Sequence, residues 1–295
     1  MSKATRIRQQ NAREKIAAQR AAARRAEVRN RTLIAVGSVV VVVAIVIGFI
    51  VWKTTEKPGN SSAGNSSVTG TALPASVIKN VTGVPASTLD TVGAGSIGAA
   101  SGLPISAISD KALTSNGKPE MLYIGAEFCP YCAAMRWSMA VALSRFGSFT
   151  THLRGIHSSS TDTDPNTPTL TFYQSSYSSK YLVFTPVENE TVTKALLQTP
   201  TASQQALWNK YNPNSYPFID IGNKYVIKGP TYDPGILAGM TWAQVAAALH
   251  SPSSTVAQAA DGTANLITAA ICKMTNGQPG SVCSSTAVTK ASGSL

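Results

Sequence analysis

The chain has 295 residues and a formal net charge of +11, from 25 Lys and Arg against 14 Asp and Glu. Most of this charge lies in residues 1–31, which carry ten basic and two acidic side chains. No aromatic residue lies among these cations to stack on nucleic-acid bases, and the rest of the chain is nearly neutral. The composition therefore argues against a nucleic-acid-binding fold and indicates a basic tail followed by a globular region.

Residues 32–52 form an uncharged apolar run, TLIAVGSVVVVVAIVIGFIVW. At about 1.5 Å per residue, a helix of this length spans a bilayer core of about 30 Å. Ten cations precede the run and only Lys53 and Lys57 follow it closely, so the positive-inside rule places the N-terminus in the cytoplasm. We expect a single-pass protein of the cell membrane, with the tail (1–31) on anionic lipid headgroups and the remainder extracytoplasmic.

Residues 53–76 are rich in Gly, Ser and Asn and predict a flexible linker. The remaining residues, 77–295, are expected to form one α/β domain. Its first part, 77–120, mixes short apolar runs with Gly and Pro, which predicts an extended segment with one short helix at the domain edge. Asn116-Gly117 predicts a turn immediately before the central strand.

The most informative stretch is Met121–Phe146, which reads MLYIGAEFCPYCAAMRWSMAVALSRF. The apolar run Met121–Phe128 predicts a buried strand. A helix should follow, because the next residues are rich in Ala, Met and Leu and Pro130 suits the first turn of a helix. Helical spacing predicts one apolar stripe, formed by Met135, Met139, Ala142 and Phe146.

Cys129 and Cys132 lie where this strand meets the helix. Cys129 is expected at the helix mouth, where unpaired backbone N–H groups and the helix dipole favour a thiolate, and Cys132 one turn inside. These positions predict that Cys129 forms a mixed disulfide and that Cys132 resolves it. An inert structural disulfide and half of a zinc site are the alternatives, although the chain has no second C-x-x-C and no His close by.

The stretch resembles the thioredoxin superfamily, which carries a redox C-x-x-C at a strand-to-helix turn. The dipeptide Pro130-Tyr131 is similar to that of glutaredoxins. The surrounding GAEFCPYCAAMRW and LSRFG resemble more closely a family of prokaryotic membrane-anchored thioredoxin-like proteins, catalogued as a domain of unknown function, over about Val81 to Cys283. The resemblance implies an α/β fold with a thioredoxin-like central mixed sheet flanked by helices, and no cofactor.

Thr150–Ser158 predicts a second strand, on which His152 and His157 would point to opposite faces, so the two do not predict a joint metal site. The segments TLTFYQ and KYLVFTPVE predict β structure arranged as a hairpin. Thr201–Tyr211 predicts a helix with Thr201 as its N-cap. No metal site is predicted.

Ser215–Gly229 contains two short strand patterns, PFIDI and KYVIK, joined by Gly222-Asn223 as a two-residue hairpin turn. Thioredoxin-like folds place a cis-proline at the start of the corresponding strand, facing the C-x-x-C. The resemblance therefore implies that Pro217 is cis and that Pro217 and Tyr216 bind the backbone of an extended substrate. An ordinary trans proline at a strand start is the alternative.

The C-terminal part predicts helices at Thr241–His250 and at Ser254–Cys272, the second interrupted near Asp261-Gly262. Cys272 and Cys283 flank a turn-rich segment. A structural disulfide between them is the first interpretation, and a second redox pair that relays electrons to Cys129 and Cys132 is the alternative.

The expected activity is thiol–disulfide exchange on secreted or cell-envelope proteins, with a membrane partner that restores the redox state. The extracytoplasmic compartment favours oxidation or isomerisation over reduction. Phe128, Tyr131 and Trp137 are candidates for a docking surface or for local packing, and Glu127 for a modulator of the thiols or a solvated side chain. The alternative function is a non-catalytic binding module, or one that delivers a soft metal such as Cu(I), although no third ligand accompanies the thiols except Met135 nearby.

Overall fold

A computed structural model of the protein describes residues 69–96, 105–151 and 153–295. The predicted basic tail (1–31) and membrane span (32–52) lie outside these residues. Within the described part, no helix combines the length and apolarity needed to cross a bilayer. This part has a mixed α/β architecture, with a mixed sheet and helices.

Strands and helices follow each other along the described residues in an irregular order. The strands are β1 (Thr71–Ala72), β2 (Ile105–Ala107), β3 (Thr114–Ser115), β4 (Lys118–Gly125), β5 (Gly147–Phe149), β6 (Arg154–His157), β7 (Pro168–Thr171), β8 (Tyr177–Ser179), β9 (Val183–Glu188), β10 (Phe218–Ile221) and β11 (Tyr225–Lys228). The α-helices are α1 (Ala75–Thr82), α2 (Ala86–Val92), α3 (Pro130–Ser144), α4 (Ala202–Tyr211), α5 (Trp242–Ala248), α6 (Thr255–Met274), α7 (Gly280–Cys283) and α8 (Thr286–Ser292). A 3₁₀ turn covers Pro234–Leu237.

The largest sheet is built around β4. Its order is β9-β4-β10-β11-β2, with β3 folded back on the start of β4 through Asn116-Gly117, where both residues have positive φ. β4 is parallel to β9 and antiparallel to β10, so the sheet is mixed. The strand is central because Met121–Ile124 have apolar side chains on both faces and all are buried. The buried strand predicted over Met121–Phe128 is confirmed, but it begins at Lys118 and ends at Gly125.

Two strand pairings differ from the sequence prediction. β6 covers only the end of the strand predicted at Thr150–Ser158, and it pairs with β1 and β7 in a separate sheet. The predicted hairpin of TLTFYQ and KYLVFTPVE is wrong, because β7 pairs with β6 whereas β9 joins β4. Periodicity indicates that a segment is a strand, but it does not identify the partner of that strand.

The segments flanking the sheet also contain more helix than predicted. Residues 69–76, assigned to the linker by composition, form β1 and the start of α1. The segment 77–120, predicted to be extended with one short helix, contains α2 and most of α1. Val81 and Leu89 of these helices are buried in the main core, so the two helices are integral to the domain and do not merely decorate its edge.

The two longest helices of the described part, α3 and α6, are buried on nearly all sides. The sequence predicts that α3 buries one apolar stripe, but the helix is buried on all sides, because every residue from Cys132 to Leu143 is buried. The interruption predicted near Asp261-Gly262 is also wrong, because α6 runs without a break from Thr255 to Met274 and packs against α3. Glycine is required there: a Cβ at Gly262 would lie 2.6 Å from the carbonyl oxygen of Ala94.

Helix caps and one hairpin follow the sequence closely. Thr201 caps α4 and Thr241 caps α5, each through a capping box with a Gln three residues later. β10 and β11 form the predicted hairpin, with left-handed backbone at Gly222 and Asn223. The register pairs Ile221 with Tyr225, so the loop has three residues and not the predicted two.

Candidate redox site

The candidate site lies where β4 leads into α3. Cys129 is the N-cap residue of α3, and its Sγ accepts a hydrogen bond of 3.2 Å from the backbone N–H of Cys132. Pro130 occupies the first helical position, where its missing N–H costs no hydrogen bond. The sequence therefore places one sulfur against the free N–H groups of a fifteen-residue helix.

The two thiols differ in exposure and in acidity. Cys129 is 5% exposed and Cys132 is fully buried, and neither forms a disulfide. The pKa of Cys129 is lowered, first by a hydrogen bond from the Cys132 thiol and then by the Cys132 backbone N–H and the charge of Arg136, although burial opposes the shift. Burial, together with the Cys129 sulfur, raises the pKa of Cys132 well above its usual range. Cys129 is therefore the more acidic thiol and the less deeply buried of the two.

The bond between Tyr216 and Pro217 is cis and directly precedes β10. Phe218, the first residue of β10, pairs with Ile124 near the end of β4, so Pro217 lies at the edge of the sheet where the cysteine turn begins. Tyr216 packs against the small apolar cluster formed by Ala126, Cys129 and Cys132. The structure thus brings together the four residues that the sequence singled out for exchange and substrate binding.

Tyr216 is held by contacts on both sides of its ring. The ring stacks on Trp208 at 5.1 Å and meets Phe128 edge-on at 6.0 Å, both between ring centroids. Its hydroxyl donates to Asn189 and lies 3.1 Å from Glu190 Oε1. Desolvation, followed by the charge of Glu190, raises the pKa of Tyr216, which keeps the phenol protonated. Phe128 and Tyr216 form a half-buried aromatic rim beside Cys129.

Arg136, one helical turn after Cys132, forms a buried ion pair with Glu188 that sequence reasoning missed. Arg136 Nε and Nη2 donate to the two carboxylate oxygens of Glu188 at 2.9 and 2.7 Å, and both side chains are fully buried. Nη2 also donates to the carbonyl oxygen of Ala126 at 2.8 Å, and the backbone N–H of Phe172 donates to Glu188 at 3.1 Å. A lone Arg in an otherwise apolar helix was the signal in the sequence, but the partner is 52 residues away.

Glu127 is buried, so the expectation of a solvated side chain is wrong. It is 1% exposed, and Oε1 accepts hydrogen bonds from the hydroxyls of Thr69 at 2.6 Å and Thr171 at 2.7 Å. Burial raises the pKa of Glu127 above its ordinary value, although the two hydroxyls oppose the shift. The carboxyl group joins the first described residues of the chain to the segment that precedes Cys129.

The three aromatic residues proposed for docking do not share a surface. Trp137 is fully buried, and its indole N–H donates to the carbonyl oxygen of Pro168 at 3.0 Å, so it is a core residue. Phe128 and Tyr131 are half-buried beside the thiols, and Lys194 Nζ lies 4.7 Å from the centre of the Phe128 ring.

Residues considered as metal ligands lie in other contacts. His157 packs on Trp242 with ring centroids 4.6 Å apart, and His152 lies outside the described residues. Met135, considered as a third ligand for a soft metal, accepts a hydrogen bond from the Thr231 hydroxyl at its sulfur, 3.3 Å away. In residues 69–96, 105–151 and 153–295, no three His, Cys, Asp or Glu side chains gather as a metal site would require.

Cys272 and Cys283 are joined to each other by a disulfide. Cys272 lies near the end of α6 and Cys283 ends α7. The four cysteines of the chain are therefore divided into one bonded pair and one pair of free thiols.

One comparison with known proteins gives a match. Residues 104–273 match a family described as a domain of unknown function (DUF929), which is more than half of the chain. No curated protein and no solved structure matches the sequence. Because the match includes the strand, the cysteine turn and the helix of the candidate site, this site lies inside the family's own domain, and the chain belongs to the DUF929 family.

Proposed function

We propose that the protein is a membrane-anchored thiol–disulfide oxidoreductase of the thioredoxin-like type, which acts on secreted or cell-envelope proteins. The observation that carries the proposal is the contrast between the two sulfurs. Cys129 caps a long helix and has a lowered pKa, whereas Cys132, three residues later, is fully buried with a raised pKa. Thiol–disulfide exchange requires a nucleophilic thiolate and a second, protected thiol that resolves the mixed disulfide. The different pKa values and burial of Cys129 and Cys132 suit these two roles.

Several features of the fold support the thioredoxin-like assignment. The cysteine turn follows the central strand of a mixed sheet, and the cis Tyr216–Pro217 bond precedes the antiparallel neighbour of that strand. Pro217 is buried, and its carbonyl oxygen accepts a hydrogen bond from the Gly229 N–H at 2.9 Å. Within the described residues, the backbone N–H and C=O of Tyr216 form no hydrogen bond, so they are free to pair with an extended chain.

In the oxidative direction, the protein begins with a disulfide between Cys129 and Cys132. A substrate thiolate attacks the Cys129 sulfur, the Cys129–Cys132 bond breaks, and Cys132 leaves as a thiolate that takes up a proton. A second substrate thiolate then attacks the substrate sulfur of the mixed disulfide and releases the Cys129 thiolate. The substrate gains a disulfide and loses two electrons and two protons, which the cysteine pair receives. The reductive direction is the same sequence in reverse.

The predicted compartment favours oxidation or isomerisation. A domain outside the membrane meets substrates that need disulfides, and an oxidase there needs a membrane partner to reoxidise Cys129 and Cys132. This part of the proposal rests on the predicted span at 32–52 and its flanking charges.

The proposal is tested with the full-length protein in detergent. Cys132→Ala should accumulate mixed disulfides between Cys129 and substrate proteins, because the resolving thiol is missing, whereas the Cys129→Ser, Cys132→Ser double variant should trap nothing and be inactive in thiol exchange. A Cys272→Ser, Cys283→Ser variant is the matched control, since it removes the other two sulfurs and should retain exchange activity. If the Cys129→Ser, Cys132→Ser protein is as active as the wild type, the proposed function is wrong.

The reduction potential of the Cys129–Cys132 pair in glutathione buffers then gives the direction. A value near about −120 mV indicates an oxidase, and a value near about −270 mV a reductase. A pair that stays oxidised in every buffer would be a structural disulfide, and the enzymatic proposal would fail.

A further inference from the structure

The ion pair of Arg136 and Glu188 is the strongest feature of the site that thiol exchange has not yet explained. Burying a charged pair is costly, and well-packed apolar side chains in its place are often as stable or more stable. Both side chains here are completely buried, and Arg136 lies one helical turn after Cys132. Such a pair calls for a role besides stability.

Of the two members of the pair, Arg136 is the one joined to the segment that carries the cysteines. Arg136 lies four residues after Cys132 on α3, one helical turn further along the same face. Its Nη2 atom donates to the carbonyl oxygen of Ala126, three residues before Cys129, whereas Glu188 ends β9 on the neighbouring strand. The guanidinium is therefore hydrogen-bonded to the segment that leads into the cysteine turn, whereas the carboxylate belongs to β9.

Two buried donors, one on α3 and one on β4, have no partner within the described residues. They are Arg136 Nη1 and the hydroxyl of Tyr123, and the Arg136 guanidinium carbon lies 5.9 Å from the centre of the Tyr123 ring. Unsatisfied buried polar groups are rare and costly, and they concentrate at functional sites. Unpaired N–H and O–H groups of this kind suit a negative charge that exists in only one redox state.

We propose that Arg136 is a positioning residue of the redox site, whose buried positive charge favours the reduced, thiolate form over the disulfide and whose effect Glu188 limits. The inference rests on the proposed function. In the reduced state the Cys129 thiolate gains an attractive interaction with the guanidinium, and in the disulfide state no such charge is present. The protein's disulfide is thereby made easier to reduce, which is a more oxidising site and fits the oxidative direction.

The test uses two variants that shift the balance of charge in opposite directions. Arg136→Leu combined with Glu188→Leu removes both charges without leaving an unpaired one. It should raise the pKa of the Cys129 thiol and move the glutathione equilibrium about tenfold toward the disulfide, about 30 mV. Glu188→Gln keeps the shape and leaves the Arg136 charge uncompensated, so it should lower the Cys129 pKa and move the equilibrium toward the thiols.

Both quantities are measured on the full-length protein, the thiol pKa by thiolate absorbance against pH and the equilibrium in glutathione buffers. A matched control removes the exposed ion pair of Lys210 and Asp110, through Lys210→Met with Asp110→Asn, and should change neither quantity. Arg136→Lys keeps the charge and should retain most of the wild-type Cys129 pKa, which provides a readout if the double variant does not fold.

Three outcomes separate the inference from the function on which it rests. Opposite shifts in the two variants support it, because a purely structural role would shift both in one direction. If the Cys129 pKa and the glutathione equilibrium shift in the same direction in both folded variants, or do not shift, the role of Arg136 is wrong. The proposed oxidoreductase activity still stands in that case, provided that the wild-type protein is active. A wild-type pair that does not exchange with glutathione overturns both.

Discussion

Cys129 and Cys132 are separated by only two residues, yet the fold gives them different chemistry. The helix start and the C-P-Y-C spacing were sufficient to predict which thiol lies at the helix mouth. The groups around them could not be predicted, because Arg136 with Glu188 and Glu127 with Thr171 are paired across 52 and 44 residues. A charged residue in an apolar sequence signals a partner, but only tertiary structure identifies the partner.

Glu127 yields a prediction about the hydroxyls that surround its carboxyl group. Thr171→Val removes a donor from Oε1 while keeping the shape of the side chain, which should lower the free energy of unfolding by about 1–3 kcal/mol. The loss should be larger at pH 7 than at pH 4. Burial already raises the pKa of Glu127 in the folded state, and losing the donor raises it further. The unfolded chains of the two proteins titrate alike, so the added cost appears only where the folded wild-type carboxyl group is ionised, above its raised pKa.

Urea unfolding at the two pH values measures this difference. Thr91→Val is the matched control, since the Thr91 hydroxyl donates to the carbonyl oxygen of Ser87 on an exposed helix surface. It should change stability by less than about 0.5 kcal/mol at either pH. An equal loss at both pH values for Thr171→Val would show that the carboxyl group does not carry the effect.

Asp261 gives a second prediction, on stability and pH. It is fully buried in α6, neither carboxylate oxygen has a partner within the described residues, and burial raises its pKa to about 8. The unfolded state releases this proton near pH 3.9 and the folded state retains it to about pH 8. Between those values the unfolded state binds fewer protons, so stability should fall by on the order of 1 kcal/mol per pH unit.

The variant that tests this prediction is Asp261→Asn, which cannot ionise. Its stability relative to the wild type should improve steadily from pH 5 to pH 8, as measured by urea unfolding at each pH. Asp162→Asn, in a loop, is the control and should follow the wild-type profile. Parallel profiles for Asp261→Asn and the wild type would contradict an ionisation of Asp261 in this range.

At the scale of elements, prediction succeeded where local chemistry decides the structure. Thr201 and Thr241 start helices through capping boxes, and Gly222 and Asn223 turn a hairpin, because these residues act on their own backbone. Prediction failed at Asp261-Gly262, because this dipeptide is typical of a turn but lies inside α6. Here the close approach of another segment favours glycine, and a distant contact of this kind leaves no local pattern.

Gly262 can be tested directly. Gly262→Ala should destabilise the protein by about 1–3 kcal/mol, because the new Cβ would lie 2.6 Å from the Ala94 carbonyl oxygen, and this overpacking exceeds the helix propensity gained, about 1 kcal/mol. Gly280→Ala, at the start of α7, is the matched control because its Cβ would meet no atom within 4 Å. Thermal unfolding of both variants decides the matter, and stabilisation by Gly262→Ala would refute the packing argument.

At the scale of the whole molecule, the folded unit is larger than the family match. Residues 104–273 match the family, but residues 67–295 form one compact unit. Val77 of α1 and Val288 of α8 lie outside the match and inside the main core, together with Trp137 of α3. The N-terminal part of this unit could not be predicted from composition, because residues 69–76 have the content of small residues that is typical of a linker.

The unit predicts how fragments of the chain behave. A fragment of residues 104–273 should lack a cooperative unfolding transition, because it exposes the core surface that α1, α2 and α8 cover, whereas residues 67–295 should unfold in one step. Urea titration followed by tryptophan fluorescence compares the two. Equal midpoints would show that the flanking helices are dispensable.

The disulfide between Cys272 and Cys283 straddles the C-terminal limit of the family match. A chain ended at residue 273 would carry three cysteines, an odd number, and the orphaned sulfur of Cys272 could bond to Cys129 or to another copy of the chain. Covalent dimers, and thiol–disulfide exchange by Cys272, would then result from the choice of the fragment's C-terminal residue. The parity of the cysteines therefore determines whether a purified fragment reports the chemistry of the intact protein.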